Sequence, residues 1–242
     1  MIKKKICILL NKIDEYNFDS LVKIYLAEDK FDISITDVLP KDLSKFDLII
    51  PWSYRKVIKN VNQATNIIII HSSELPHGRG WAPIYYSINE GQSNYAITCF
   101  CATDQVDEGD IIIKASFPLL PQYTASYLRE VDREISFVLI KKILDKWPDG
   151  KFTTSKQEGN GSYRARRSPD DNEVQTSKTL DSMISHLRSV ESKNPAFFYY
   201  KEIKYIINIF PDNEPAFPEK IKIEYPGINE IEYWTKANEK ST

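Results

Sequence analysis

The sequence predicts an α/β fold: a mainly parallel sheet flanked by helices, with a small C-terminal β-rich appendage. Three observations carry this. Ile67 to Ile70 is an unbroken β-branched run, the pattern of a strand covered on both faces. Ahead of it, short strand-like runs alternate with helix-like spacing, as βαβ units require. From Lys151 the composition turns polar, and later aromatic and β-branched. The chain is therefore divided into residues 1–150, the main α/β unit, and 151–242, a helix plus β-hairpin region.

Lys5–Leu10 is a short apolar run and the expected first strand. Leu21, Val22, Ile24 and Tyr25 share a helical face within Phe18–Leu26, with Asp19 and Ser20 near its start as caps. Phe31–Val38 alternates as a second strand, and Phe46–Ile50 reads as a third. Pro51, Trp52 and Ser53 then turn the chain into a helical segment from Tyr54 to Val61. Ile67–Ile70 is the fourth strand. Pro83–Glu90 reads as a helix stopped by Gly91. Asn94–Ala102 and Asp110–Phe117 are two further strands. Leu128, Val131, Ile135, Val138, Leu139 and Ile143 mark Thr124–Trp147 as a long helix, which Pro148-Asp149-Gly150 ends. Leu180–Val190 is amphipathic, with Thr179 as its N-cap. Ala196–Phe210 breaks at Lys201-Glu202 like a hairpin, Ile221–Tyr225 is a last strand, and Lys236–Thr242 looks frayed.

Bulk properties narrow the classes of function. The chain has 242 residues and a formal charge of −2, which gives no basic surface for nucleic acid. No apolar run is long enough to cross a bilayer. The Lys-rich start followed by an apolar run could open a signal peptide, but Asn11, Lys12, Asp14 and Glu15 interrupt it. Cys7, Cys99 and Cys101 lack the spacing of a zinc site, so no metal is expected and reduced structural thiols in a cytoplasmic protein are.

The chemistry concentrates after the fourth strand. In open parallel sheets ligands bind beyond the carboxyl ends of strands. His71 stands at such an end, followed by Ser72-Ser73-Glu74-Leu75-Pro76-His77-Gly78-Arg79-Gly80-Trp81-Ala82-Pro83. One strand later comes Val106-Asp107-Glu108-Gly109-Asp110-Ile111. An imidazole and a carboxylate on neighbouring strand ends form an acid–base pair. Gly80 and Gly109 would let backbone approach a ligand closely, and Trp81, Pro76 and Pro83 offer rigid apolar walls. Against this, a lone histidine at a strand end is more often structural, and Asp-Glu-Gly-Asp is a common turn composition. His77 reads as a solvated loop residue and His186 as a surface residue. Ser72 and Ser73 lack the glycine-flanked elbow of a serine nucleophile.

The stretch His71–Pro83 followed by Asp107-Glu-Gly-Asp110-Ile111 resembles the core of the N10-formyltetrahydrofolate-dependent formyltransferases, in motif order and spacing. Arg166-Arg167-Ser168-Pro169-Asp170-Asp171 and Asn194-Pro195-Ala196-Phe197-Phe198 are similar to the tail of the nucleotide-sugar branch. Leu75-Pro76-His77-Gly78-Arg79-Gly80-Trp81 resembles a subgroup that acts on CMP-linked nonulosonic sugars such as CMP-pseudaminic acid. The resemblance implies a Rossmann-like sheet and transfer of a formyl group from N10-formyltetrahydrofolate to a primary amine of a nucleotide-linked sugar.

By this resemblance His71 removes a proton or supports the oxyanion, and Asp107 orients His71 and relays the proton. The pterin would lie against Thr103, Asp104, Gln105 and Val106, with Trp81, Pro83, Ile84 and Tyr85 as the other wall. The acceptor would approach past Ser53, Tyr54, Arg55 and Arg79. Its phosphates would meet Arg79 and the Arg164, Arg166, Arg167 cluster, unless that cluster is solvated or packs on Asp170-Asp171. One position departs from the family. Ile69 stands where the family carries an asparagine that donates to the developing oxyanion, so protonated His71, Ser73 or a backbone N–H must substitute, or activity is weak. Two further readings follow: a deformylase that uses water on the same pair, and a folate-binding homologue without turnover. A nucleotide-sugar acceptor and a homodimer are the expected partners; nucleic acid and membrane are not.

Overall fold

The structure is a computed structural model that describes residues 3–12, 30–54, 56, 58, 66–147 and 151–237. The helix expected at Phe18–Leu26, most of the one at Tyr54–Val61, and Arg55 lie outside the described residues. The first half is a parallel sheet. β1 (Lys4–Leu10) sits centrally between β2 (Phe31–Thr36) and β3 (Leu48–Trp52), and both neighbours run parallel to it. β1 is apolar at every position from Ile6 onward because the strand is covered on both faces.

β3 extends past the expected end, and Pro51 and Trp52 are buried strand residues rather than a turn. The reason lies in the ladder. Ile49 donates its N–H to Asn66 on the side of the next strand, at 3.0 Å, and residue 51 faces the same side. Pairing there reaches only the Ile49–Ile67 bridge, so the donor that proline lacks is not needed.

β4 (Ile68–His71) enters through that parallel bridge, and beyond it the sheet continues antiparallel in the order β4, β6 (Asn94–Cys101), β7 (Ile111–Pro118), β11 (Ile221–Tyr225), β12 (Glu230–Trp234). Two strands from beyond residue 151 thus complete the main sheet. The remaining pair, β9 (Ala196–Tyr200) and β10 (Ile203–Ile207), forms the separate hairpin expected from the Lys201-Glu202 break. Both turn residues have positive φ, 47° and 64°, which matches the right-handed twist of the flanking strands.

Three helices frame the sheet among the described residues. α1 (Pro83–Asn89) starts with proline at its first position and stops at Gly91 in the left-handed region. α2 (Ala125–Asp145) is capped by Thr124, whose hydroxyl accepts from Tyr127 N. Its predicted stripe Leu128, Val131, Ile135, Val138, Leu139 and Ile143 is fully buried in the main core with Tyr95, Ile97, Ile113 and Phe117. Truncating Ile135 to alanine there costs about 2–5 kcal/mol. α3 (Leu180–Ser189) is capped by Thr179 as expected. No described helix is long and apolar enough to cross a membrane. Burial pushes the Cys7 and Cys101 thiols up to about 11 and Cys99 higher still, so all three stay protonated and unreactive.

Candidate active site

His71 closes β4 with its ring on the face shared by Ile69, since residues two apart in a strand face the same way. The ring is buried. Its Nε2 lies 2.8 Å from the carbonyl oxygen of Gly78. A carbonyl only accepts, so Nε2 carries a hydrogen, and in the neutral ring the lone pair is on Nδ1. That Nδ1 points to Asp107, with Oδ2 at 3.7 Å. The separation exceeds a direct hydrogen bond, so a proton taken up at Nδ1 would face a carboxylate without competing for it beforehand. Asp107 Oδ2 is itself held by the N–H of Gly80 at 2.8 Å.

The two groups meet for a reason that strand order alone does not contain. β4 and β6 run antiparallel, with His71 opposite Thr98 in mid-strand, so their carboxyl ends point in opposite directions. The loop after β6 must fold back over the sheet. Gly109 permits this turn, because a Cβ there would sit 1.6 Å from the carbonyl oxygen of Cys101. Asp107 takes the positive φ of 55° that the reversal requires.

A strap from 155 to 164 holds both loops. Gln157 Nε2 donates to the carbonyls of Asp107 and Gly109, each at 2.9 Å. Its Oε1 accepts from Arg79 Nη2 at 2.7 Å. Arg79 also binds Glu108 at 2.9 Å, and Tyr163 donates to the same carboxylate. Ser162 Oγ accepts from Gly78 N at 2.9 Å, which fixes the carbonyl that orients His71. β5 (Arg79–Gly80) pairs in parallel with β8 (Tyr163–Arg164). Gln157, Ser162 and Tyr163 carry no motif, and no spacing in the sequence points to them.

The remaining candidates divide. Thr103, Asp104, Gln105 and Val106 form an exposed loop beside Asp107, tied by the Thr103 hydroxyl to Gln105; Val106 is 61% exposed. Trp81 is 41% exposed, and Pro83 and Tyr85 are half-buried beside it. Ile84 is 4% exposed and packs into the main core, so its side chain offers no wall. Ser73 is buried, and its hydroxyl has no partner among the described residues. Ser53 is exposed with φ 48° and Tyr54 half-buried. Arg79 is bonded to Glu108, Gln157 and Tyr163. Arg164, Arg166 and Arg167 lie over the rings of Tyr86, Trp81 and Tyr85. Arg167 also binds Asp171 and Asn172.

His77 is exposed, as its loop position suggested. His186 corrects the expectation of a surface residue: it is half-buried, and its Nδ1 lies 3.0 Å from the hydroxyl of Tyr85. Burial lowers its pKa. α3 packs against α1, which a sequence-derived helix face cannot foresee. On the opposite side of the sheet, Tyr95 donates to Asp132 at 2.6 Å and the Ser72 hydroxyl bonds to both. Desolvation raises the pKa of both groups.

The arrangement fits a flat donor with polar ring edges. An exposed loop that includes Val106 adjoins the His71–Asp107 pair, and a buried hydroxyl without a partner among the described residues stands two residues from the histidine. Chemically, the pair can remove a proton from an attacking amine or water and hold it.

Residues 23–138 match the family described as formyl transferase. A methionyl-tRNA formyltransferase of Mycoplasma capricolum is 27% identical over 218 residues, 87% of this chain and 63% of that protein. The chain spans about half to two thirds of the length of the curated relatives it matches, from 47% to 63%. A 4-N formyltransferase from Francisella tularensis superposes with TM-score 0.73 at 20% identity, over 87% of this chain and 99% of that one. HypX from Aquifex aeolicus, solved with tetrahydrofolic acid, gives 0.67 at 17% identity, over 97% of this chain and 46% of that one. Residues 23–138 thus resemble the formyl transferase family, and the chain has the fold of these solved structures.

Proposed function

We propose that the chain is a cytoplasmic N-formyltransferase that moves a formyl group from N10-formyltetrahydrofolate to a primary amine of a nucleotide-linked amino sugar, CMP-pseudaminic acid or a related nonulosonic acid. The observation that carries it is the buried His71–Asp107 pair beside an exposed loop, within a formyl transferase match. When bound, N10-formyltetrahydrofolate supplies an activated one-carbon group open to attack. Thr103–Val106 would hold the pterin and Trp81 would border it. His71 Nδ1 would take the amine proton as the new C–N bond forms and give it to the donor's departing nitrogen as the old bond breaks, with Asp107 stabilising the imidazolium in between. Gly78 keeps the ring from rotating, because its carbonyl holds the Nε2 hydrogen. With Ile69 on the same face, no side-chain amide comes from β4, so protonated His71 and Ser73 support the developing negative charge. A homodimer belongs to the same reading.

The Francisella neighbour, a 4-N formyltransferase, favours a sugar acceptor. The curated relatives are methionyl-tRNA formyltransferases, which makes that tRNA the second acceptor to weigh. The formal charge of −2 argues against a polyanion of that size. The test is an acceptor screen with N10-formyltetrahydrofolate, read by mass spectrometry. Candidates are CMP-, UDP- and dTDP-linked amino sugars and methionyl-tRNA. A gain of one formyl group on a sugar supports the proposal. Formylated methionyl-tRNA alone, formate released without acceptor, or folate binding without turnover would each replace it.

A further inference from the structure

Three arginines at and just beyond the end of the strap, Arg164, Arg166 and Arg167, lie across three rings of the 81–86 segment, yet only one is left open. Arg164 lies 5.2 Å from the Tyr86 ring centre, and its Nη2 binds Glu90 at 2.5 Å. Arg167 lies 3.2 Å from that of Tyr85 and donates to Asp171 O at 2.9 Å and Asn172 Oδ1 at 2.6 Å. Arg166, between them in the chain, lies 4.8 Å from the centre of Trp81. It is exposed, and among the described residues it forms no hydrogen bond or ion pair. Its ring partner is also the exposed one, at 41%.

The platform is rigid and adjoins the reacting groups. Trp81 N donates to Arg164 O at 3.2 Å, and the preceding residue, Gly80, donates to Asp107 Oδ2. Gly80 cannot carry a side chain here, because its Cβ would meet Arg164 O at 2.6 Å. A guanidinium held over an indole keeps its outward N–H groups in one plane, which suits the oxygens of a phosphate. Arg79, another cation of this region, is only 13% exposed and already paired with Glu108.

We infer that Arg166 and Trp81 form the phosphate-binding subsite for the nucleotide part of the acceptor, and that Arg166 alone of the neighbouring arginines supplies the charge. The inference rests on the transfer reading above, but its test does not require turnover. The full chain is titrated with CMP, UDP and dTDP, following tryptophan fluorescence. Trp52, Trp147 and Trp234 are buried, so Trp81 is the exposed reporter. At least one nucleotide should bind saturably. Arg166→Gln should weaken it about ten- to a hundredfold, and Arg166→Lys should recover part of the loss. The melting temperature should not move, since the side chain is exposed. An absence of nucleotide binding to the wild type would overturn the inference. So would equal binding by Arg166→Gln, or a loss confined to tetrahydrofolate, which would assign the cation to the donor's carboxylates. Nucleotide binding without any formylated sugar would keep the subsite and remove the transferase reading.

Discussion

The loop from Leu75 to Pro83 and the strap from 155 to 164 touch each other along their length, yet they differ in what they reveal. The loop is dense in Pro, Gly, Trp and Arg and carries the family's wording. The strap is polar and carries no motif. In space the strap takes part in the positioning: Ser162 holds Gly78, and Gln157 holds Asp107 and Gly109. The loop supplies the Gly78 carbonyl and the Gly80 N–H that hold His71 and Asp107, and the strap supplies the hydrogen bonds that keep the loop in register. A site of this kind is built from distant segments because each loop alone has too few contacts to fix its own backbone.

The comparison can be broken or sharpened by substitution, and the largest effect belongs to the groups that the loop holds. His71→Asn removes the Nδ1 base and should lower kcat/KM about a hundred- to ten-thousandfold in the transfer assay; a near-normal rate would remove His71 from the mechanism. Ser73→Ala comes next. If the unpartnered hydroxyl donates to the developing charge, kcat falls about a hundredfold with folding intact. If it is only a buried orphan, deleting it leaves the rate unchanged and the melting temperature equal or higher.

Gln157→Glu tests the strap. A carboxylate still accepts from Arg79 but cannot donate to Asp107 and Gly109. We expect kcat to fall about tenfold with little change in KM for the donor, and Gln157→Ala to lose about 1–3 kcal/mol of stability as well. Equal kinetics for wild type and Gln157→Glu would demote the strap to scaffolding. The smallest effect concerns pH. Burial lowers the His186 pKa in the folded chain, so protonation favours the unfolded state. That contribution is complete above the unfolded value of about 6.5 and is lost as pH falls through and below it. His186→Gln should therefore narrow the gap in melting temperature between about pH 7.5 and 5.5.

Much of the molecule was legible because local physics writes it locally. The α2 stripe and the Thr124 and Thr179 caps follow from helical period and from free N–H groups. The Lys201-Glu202 hairpin follows from two β-rich runs broken by polar residues. The end of β3 was misjudged because proline's cost depends on which neighbour pairs, and that neighbour is a tertiary fact. His186 was misjudged because the face it buries belongs to α1. Strand direction beyond β4 was also hidden, since an apolar run is the same in a parallel and an antiparallel setting.

The sequence by itself determined the α/β class, the helix that covers the sheet, and the two short stretches that bring imidazole and carboxylate. These depend on residue type and spacing over a few turns of chain. Only the tertiary structure decided that Asp107 reaches His71 by a reversed loop, that Gln157 holds it there, and that Arg79 is spent while Arg166 is open. Those outcomes depend on hydrogen bonds between residues tens of positions apart, and no local pattern encodes which partner a side chain will meet.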